Sequence, residues 1–266
     1  MAETAPAGLL ARAWELCYLD LEAARDIGHQ LTAQTDGLVK AEGWLHVALA
    51  QVRLLGPAEA EQALARARDA YLLAGATPAT LARGLALCEE IEAIAMRSRG
   101  DCVASAALQA ELDSRAGFAA DAMHAFISHN SRAITQKQLG HADAALRHFY
   151  AASDAAHRTG YVGPQITALA NLGGYQHDLY NLEDAGRLSQ QALTAAIAAG
   201  VGHAMVTTAA NLVIIHFATG DMRQARSLAQ FLLDRQDEWP PATLWRYAMP
   251  LALGHLATGE IDTAMG

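Results

Sequence analysis

Apolar and polar positions alternate in blocks along this chain, and the blocks recur. The stretch ANLVIIHFATGDMRQA (210–225) runs from an apolar segment through a glycine into a charged one. Aligned on that glycine, GDMRQA (220–225) matches GHADAA (140–145), YNLEDA (180–185) and GEIDTA (259–264). Ala145, Ala185, Ala225 and Ala264 are thus 40, 40 and 39 residues apart. Earlier copies keep step: GDCVAS places Ser105, GPAEAEQA places Ala63 and LDLEAA places Ala24. A fixed period near 40 residues is the mark of a repeat architecture.

Within each period the pattern predicts two antiparallel helices. A first helix over 203–219 stops at Gly220, the residue best able to enter the left-handed conformation past a helix end. Asp221 then offers its carboxylate to the free N–H groups of the next helix. Ala225 lies one turn in, where a small side chain lets the two backbones approach. Gly160, Gly200 and Gly117 are expected to end second helices, with YVGP, VGH and EWPP as turns between repeats. Pro250 falls inside an expected first helix and should kink it or delay its start.

A hairpin of this size cannot bury its apolar face alone, so neighbours must stack. The expected fold is all-α: a right-handed α-α superhelix of about seven helical hairpins in a single domain, 1–266. The expected repeats are 5–38, 39–76, 77–117, 118–160, 161–202, 203–240 and a truncated 241–266. Leu139, Leu146, Phe149, Leu172, Leu179, Leu193, Leu212, Leu228 and Leu232 are the expected core.

The glycine with an alanine five residues on resembles the tetratricopeptide repeat. So do the leucine and small residues of NLGG (171–174), and the aromatic and alanine at Phe149 and Ala152. HEAT and armadillo repeats share a period near 40 but lack the turn-plus-alanine mark. A second, narrower resemblance lies in AWELCYLDLEAARDIGHQL (13–31), through Trp14, Glu15, Leu16, Tyr18, Asp20 and Ala23. It is similar to the opening of N-terminal repeat arrays on bacterial signalling proteins: GGDEF-type diguanylate cyclases, sensor kinases and LuxR-type regulators. Cys17 stands where arginine is common in such openings.

Composition narrows the function classes. Of 266 residues, 52% are hydrophobic and only 6% aromatic, with alanine dominant, which favours close helix packing over a β-sandwich. Net charge is −9, with acids exceeding bases in both halves, so no basic face is expected to bind nucleic acid. Cys17, Cys88 and Cys102 form no CxxC pair and suit a reducing, cytoplasmic compartment. The N-terminus does not read as a signal peptide, having no basic start followed by an apolar stretch. The charge-free run 191–220 is long enough to raise a membrane span, yet Gly200, Gly202, His203, Asn211 and His216 interrupt it. Two short helices with a glycine turn account for it, and no span is expected.

No nucleophile elbow, phosphate-binding glycine loop, HExxH motif or GGDEF signature occurs in the sequence. No enzyme activity, cofactor or metal is expected of this chain. His124 and His129 are five apart, off the spacing that puts two ligands on one helical face, and His141, His148 and His157 share no site spacing. His216 and His255, four residues before turn glycines, are expected to fill ring-shaped slots between helices. Trp239, Trp245 and Tyr247, flanked by Pro240, Pro241 and Pro250, suggest a helix break with an aromatic plug.

If first helices line a groove, helical periodicity puts Asn130, Ile134, Lys137, Thr167, Ala170, Gly174, His177, Asp178, Thr207, Ala210, Ile214, Phe217, Trp245 and Met249 on it. That stripe lacks the Lys, Arg and Asn cluster that clamps a C-terminal carboxylate in chaperone-binding relatives, so apolar capture of a peptide or protein is expected. The array has no capping helix before Gly266. The resemblance therefore implies a non-catalytic N-terminal sensory part of a longer signalling protein, most simply a diguanylate cyclase, that binds a protein, a peptide or a small ligand, or pairs with a second copy of the chain. The alternatives are a free-standing adaptor, or the regulatory repeats of a LuxR-type factor or sensor kinase.

Overall fold

The computed structural model describes residues 5–54, 56–115, 121–235 and 248–258. Among the described residues every regular element is a helix. They are α1 (Pro6–Leu16), α2 (Leu21–Thr32), α3 (Gly37–Leu54), α4 (Pro57–Leu73), α5 (Pro78–Ser98), α6 (Cys102–Arg115), α7 (Ala122–Gln138), α8 (Ala142–Thr159), α9 (Val162–Asp178), α10 (Leu182–Ala199), α11 (Gly202–Thr219), α12 (Met222–Leu233) and α13 (Ala248–Thr258). The chain divides into two compact units, Met1–Pro164 and Gln165–Gly266.

The small residues aligned in the sequence are where helices meet. Ala24, Ala63, Ser105, Ala145, Ala185 and Ala225 are all buried, four of them completely. A larger side chain at any of them would hold the paired helices apart. Gly160, Gly200 and Gly220 each take the left-handed conformation at a helix C-terminus, as the turn pattern predicts. Gly220 has φ of 80°, and the N–H of Asp221 returns to the His216 carbonyl at 2.9 Å, closing the end of α11. In the copy that lacks the glycine, Tyr180 takes the same role with φ of 60°. The Asp221 carboxylate accepts the Gln224 N–H at 3.1 Å and caps α12.

These turns also settle the charge-free run. It comprises the end of α10, the left-handed Gly200 and all of α11. No described helix is long and apolar enough to cross a membrane.

In unit 1, α2 packs on α3, α4 on α5 and α6 on α7, while α1, α3, α5 and α7 also meet successively. The backbones of α2 and α3 approach through Gly28 and Gly43: a Cβ on Gly43 would stand 2.8 Å from the Gly28 carbonyl. In unit 2, Leu193, Val206, Ala209, Ala210, Leu212, Val213, Ala229 and Leu232 form one apolar core.

Several expectations need correction. Leu179 lies at the end of α9 beside Tyr180 and is 40% exposed, so it is not core. Ala210 is buried in the unit 2 core, because α11 packs on this side as well, and it leaves the expected groove. His216 is half-buried, with Nδ1 3.9 Å from an Asp221 carboxylate oxygen, so it faces the turn rather than filling a ring slot. Gly117, Trp239, Pro240, Pro241, Trp245, Tyr247 and Ala264 lie outside the described residues.

Unit 1 also has a polar core that the hydrophobic pattern does not reveal. Arg83 on α5 joins Glu42 on α3 (2.9 Å) to Asp121 at the start of α7 (2.5 Å). Arg132 on α7 joins Glu90 on α5 (2.7 Å) to Asp113 on α6 (3.0 Å), with Arg132 and Glu90 almost fully buried. Burial pushes the Glu90 carboxyl up, and Arg132 pulls it back. Burial would also raise Asp121, but Arg83 and the N–H groups of Met123 and His124 hold it below the usual carboxylate range. Three of these four pairs are 38, 41 and 42 residues apart in sequence, about one repeat period, while Arg132 and Asp113 are 19 apart. Opposite charges one period apart are thus the readable sign of such bridges.

Candidate functional site

The candidate surface in unit 2 is built on α9 and α11. Two adjacent glycines orient α9. Gly173 is buried, and a Cβ there would come within 2.7 Å of Ser189 Oγ and 3.1 Å of the Ser189 nitrogen, so this side of α9 packs on α10. Gly174 turns the other way: among the described residues of other helices, a Cβ there would meet Asn211 Nδ2 on α11, at 3.7 Å. Thr167, Gly174 and His177 are partly exposed along α9, and Asp178 is exposed at its end. His177 Nδ1 stands 3.6 Å from Asp178 Oδ1.

On α11, Thr207, Asn211, Ile214 and Phe217 follow one another at helical spacing and are all partly exposed. Met249 on α13 is 59% exposed. The surface therefore offers apolar side chains, an amide and a His–Asp pair beside a glycine that admits close approach. It has the means to hold a chain by apolar contact and hydrogen bonding.

In unit 1 the stripe residues Asn130 and Ile134 are partly exposed and Lys137 is exposed, at i, i+4 and i+7 on α7. The structure brings Gly174 near Asn211, a residue the periodic stripe omitted.

The histidines pair in a way their spacing conceals. His129 on α7 and His148 on α8 meet Nδ1 to Nδ1 at 3.1 Å, across a hairpin rather than along one helix. Burial, then His129 and Arg132, push His148 down to about 4. Burial and the nearby guanidinium of Arg132 likewise lower His129. Burial also lowers His124 to about 4, despite Asp121. These rings are held neutral. Among the described residues no group of three or more His, Cys, Asp or Glu side chains could hold a metal. Cys17 and Cys88 are buried, and burial pushes both thiols up to about 12. Cys102 is partly exposed and its thiol donates to Gln138 Oε1 at 3.1 Å.

Solved structures share this arrangement of helices. The apo form of RapI matches with a TM-score of 0.63 at 10% identity, covering 98% of this chain and 73% of that one. The fold is that of a tetratricopeptide-like helical array. Aspartyl phosphate phosphatase F from Bacillus subtilis matches at 0.61 and 11% identity, covering 100% and 70%. A signal transduction ATPase with numerous domains and a tetratricopeptide repeat sensor, from Pyrococcus horikoshii, matches at 0.57 and 17% identity. That match covers 98% of this chain but 40% of the larger protein. At these identities the likeness concerns the fold alone. Neither a protein-family model nor a curated protein sequence matches this chain.

Proposed function

We propose that this chain is a non-catalytic binding module, and that in unit 2 the α9–α11 face takes a peptide or protein partner. The observation that carries this reading is the run of partly exposed Thr207, Asn211, Ile214 and Phe217 opposite Gly174. Apolar groups left accessible beside a close-approach glycine suit capture of an extended or helical segment. The test is site-specific photo-crosslinking from position 217 in the native cell, with exposed Arg187 on α10 as control position. A discrete protein crosslinked from 217 and not from 187 is expected. Equal yield from both positions would remove the face from consideration.

The finer reading is a cytoplasmic sensory part of a longer bacterial signalling protein, with a diguanylate cyclase as output. It rests on the resemblance of residues 13–31. The tetratricopeptide sensor of the Pyrococcus horikoshii signal transduction ATPase is a precedent for such an array as an input region. A free-standing adaptor is the rival and fits the same fold. The gene beyond the codon for Gly266 separates them. A linker helix leading to a catalytic or DNA-binding domain supports the sensor, and a polar capping helix followed by a stop codon supports the adaptor.

A further inference from the structure

Where helical hairpins stack, each one touches its neighbours in the array. The α1–α2 turn of unit 1 departs from that rule, because Cys17, Tyr18 and Leu19 reach past α3 to α7 and α9. Arg53, in the last turn of α3, donates from Nη1 to the Cys17 carbonyl at 2.7 Å. Its guanidinium also lies 4.2 Å from the centre of the Tyr18 ring. Phe126, near the start of α7, meets that ring edge-on, with centres 4.9 Å apart. Gly163, the second residue of α9, leaves room for the turn: a Cβ there would stand 3.0 Å from Tyr18 Cβ and 3.0 Å from Leu19 Cδ2.

These are the contacts of a bound segment. A main-chain carbonyl is held by a cation, and the aromatic ring after it by the same cation and an aromatic edge. The next aliphatic side chain lies against a glycine. A groove that receives a peptide works in the same way, with a main-chain hydrogen bond for affinity and side-chain positions for selectivity. Phe126 is completely buried, whereas Tyr18 and Leu19 remain partly exposed, so the turn covers the ring and itself stays at the surface. Its attachment is slight. Among the described residues, the Arg53 bond is the one hydrogen bond that ties Cys17, Tyr18 or Leu19 to another helix. The N–H groups of Cys17 and Leu19 return to Ala13 and Leu16 of α1. That helix has 11 residues and Ala5 at its N-cap, which has no side-chain group to cap it, so it is too short to persist without support.

We propose that the α1–α2 turn is a strap bound in cis at a peptide site formed by Arg53, Phe126 and Gly163. The partner for this site is a segment carrying an aromatic residue followed by leucine or a similar aliphatic residue. It enters by displacing Tyr18 and Leu19, and the strap holds the site closed until then. This inference takes from the proposed function only that the chain is a binding module. It concerns unit 1, so its failure and that of the α9–α11 face are separately visible.

The probe is a fluorescein-labelled peptide of residues 13–24 of this chain, followed by anisotropy with the full chain under reducing conditions. Tyr18→Ala/Leu19→Ala empties the site of its cis occupant. The peptide should bind that variant saturably and about tenfold or more tighter than the unaltered chain, since a site occupied in cis is available only in its open fraction. A peptide with alanine at both positions should not bind. Equal affinity for the two chains, binding to neither, or equal binding of the alanine peptide would overturn the proposal. Arg53→Gln, at an exposed position, tests the strap without emptying the site. Hydrogen exchange at residues 16–20 should quicken about tenfold, the worth of one charge-assisted contact, with α11 unaffected. Unchanged exchange at 16–20 would overturn the proposal even if the double variant failed to fold.

Discussion

Gly173 and Gly174 are neighbours in one helix, and the structure assigns them opposite responses to the same substitution. Glycine to alanine in a helix interior gains about 1 kcal/mol from propensity alone. At Gly174 the new Cβ meets, among the described residues of other helices, Asn211 Nδ2 at an ordinary 3.7 Å, so that gain stands and Gly174→Ala should stabilise by about 0.5–1 kcal/mol. At Gly173 the Cβ would stand 2.7 Å from Ser189 Oγ and 3.1 Å from the Ser189 backbone nitrogen. The hydroxyl can rotate away, but the nitrogen belongs to α10 and moves only with that helix. Overpacking of this kind costs about 1–3 kcal/mol, which outweighs the propensity gain and leaves a net loss of up to about 2 kcal/mol. Urea unfolding followed by circular dichroism at 222 nm measures both variants, with an unchanged denaturant slope showing that the unfolded state is not the cause. Gly173→Ala at or above the stability of Gly174→Ala would refute the packing of α9 on α10, and with it the orientation of the candidate face.

Two further predictions concern a turn and a titration. Tyr180 takes a left-handed conformation that strains an ordinary side chain by roughly 1–2 kcal/mol, and it is 88% exposed. Tyr180→Gly should therefore gain about 0.5–1 kcal/mol after the added freedom of the unfolded chain is subtracted, read as a higher midpoint of denaturation; a lower midpoint would contradict it. His148 is lowered to about 4 in the folded chain from an ordinary 6.5, so below pH 6.5 the unfolded chain binds a proton that the folded chain refuses. Stability should be full above pH 6.5 and fall as the pH drops towards 4. NMR titration should find the His148 ring neutral at pH 5.5, and His148→Gln should flatten the acid side of the stability profile. A His148 midpoint near 6.5 would contradict the enclosed His129–His148 pair.

The hairpin fold was legible because its marks are local. Gly160, Gly200 and Gly220 act within one turn of their own helices, and Ala145, Ala185 and Ala225 sit where any larger side chain would separate two backbones. Tyr180 was legible only by register, since its sequence carries no turn signal of its own. The bridges Glu42–Arg83–Asp121 and Glu90–Arg132 were hidden from a reading of apolar periodicity, because each charge looks like an ordinary polar position until the neighbouring repeat is laid beside it. The His129–His148 contact escaped for the same reason: it forms across a hairpin, where spacing along one helix says nothing. Within the candidate face, helical period alone picked out Ile214 and Phe217, which are partly exposed, but also Ala210, which is buried. A helix packed on several sides has no single exposed stripe, and only the tertiary contacts distinguish its faces.

The central claim is that this array binds a partner through the α9–α11 face. Its most direct measurement is affinity for the protein crosslinked from position 217, by titration calorimetry, for the unaltered chain and for Ile214→Asp/Phe217→Asp. Both side chains are partly exposed, so the variant should unfold at nearly the same urea concentration. A carboxylate at each buried contact should weaken binding by about tenfold or more. Unchanged affinity in a variant that still unfolds cooperatively would contradict the claim.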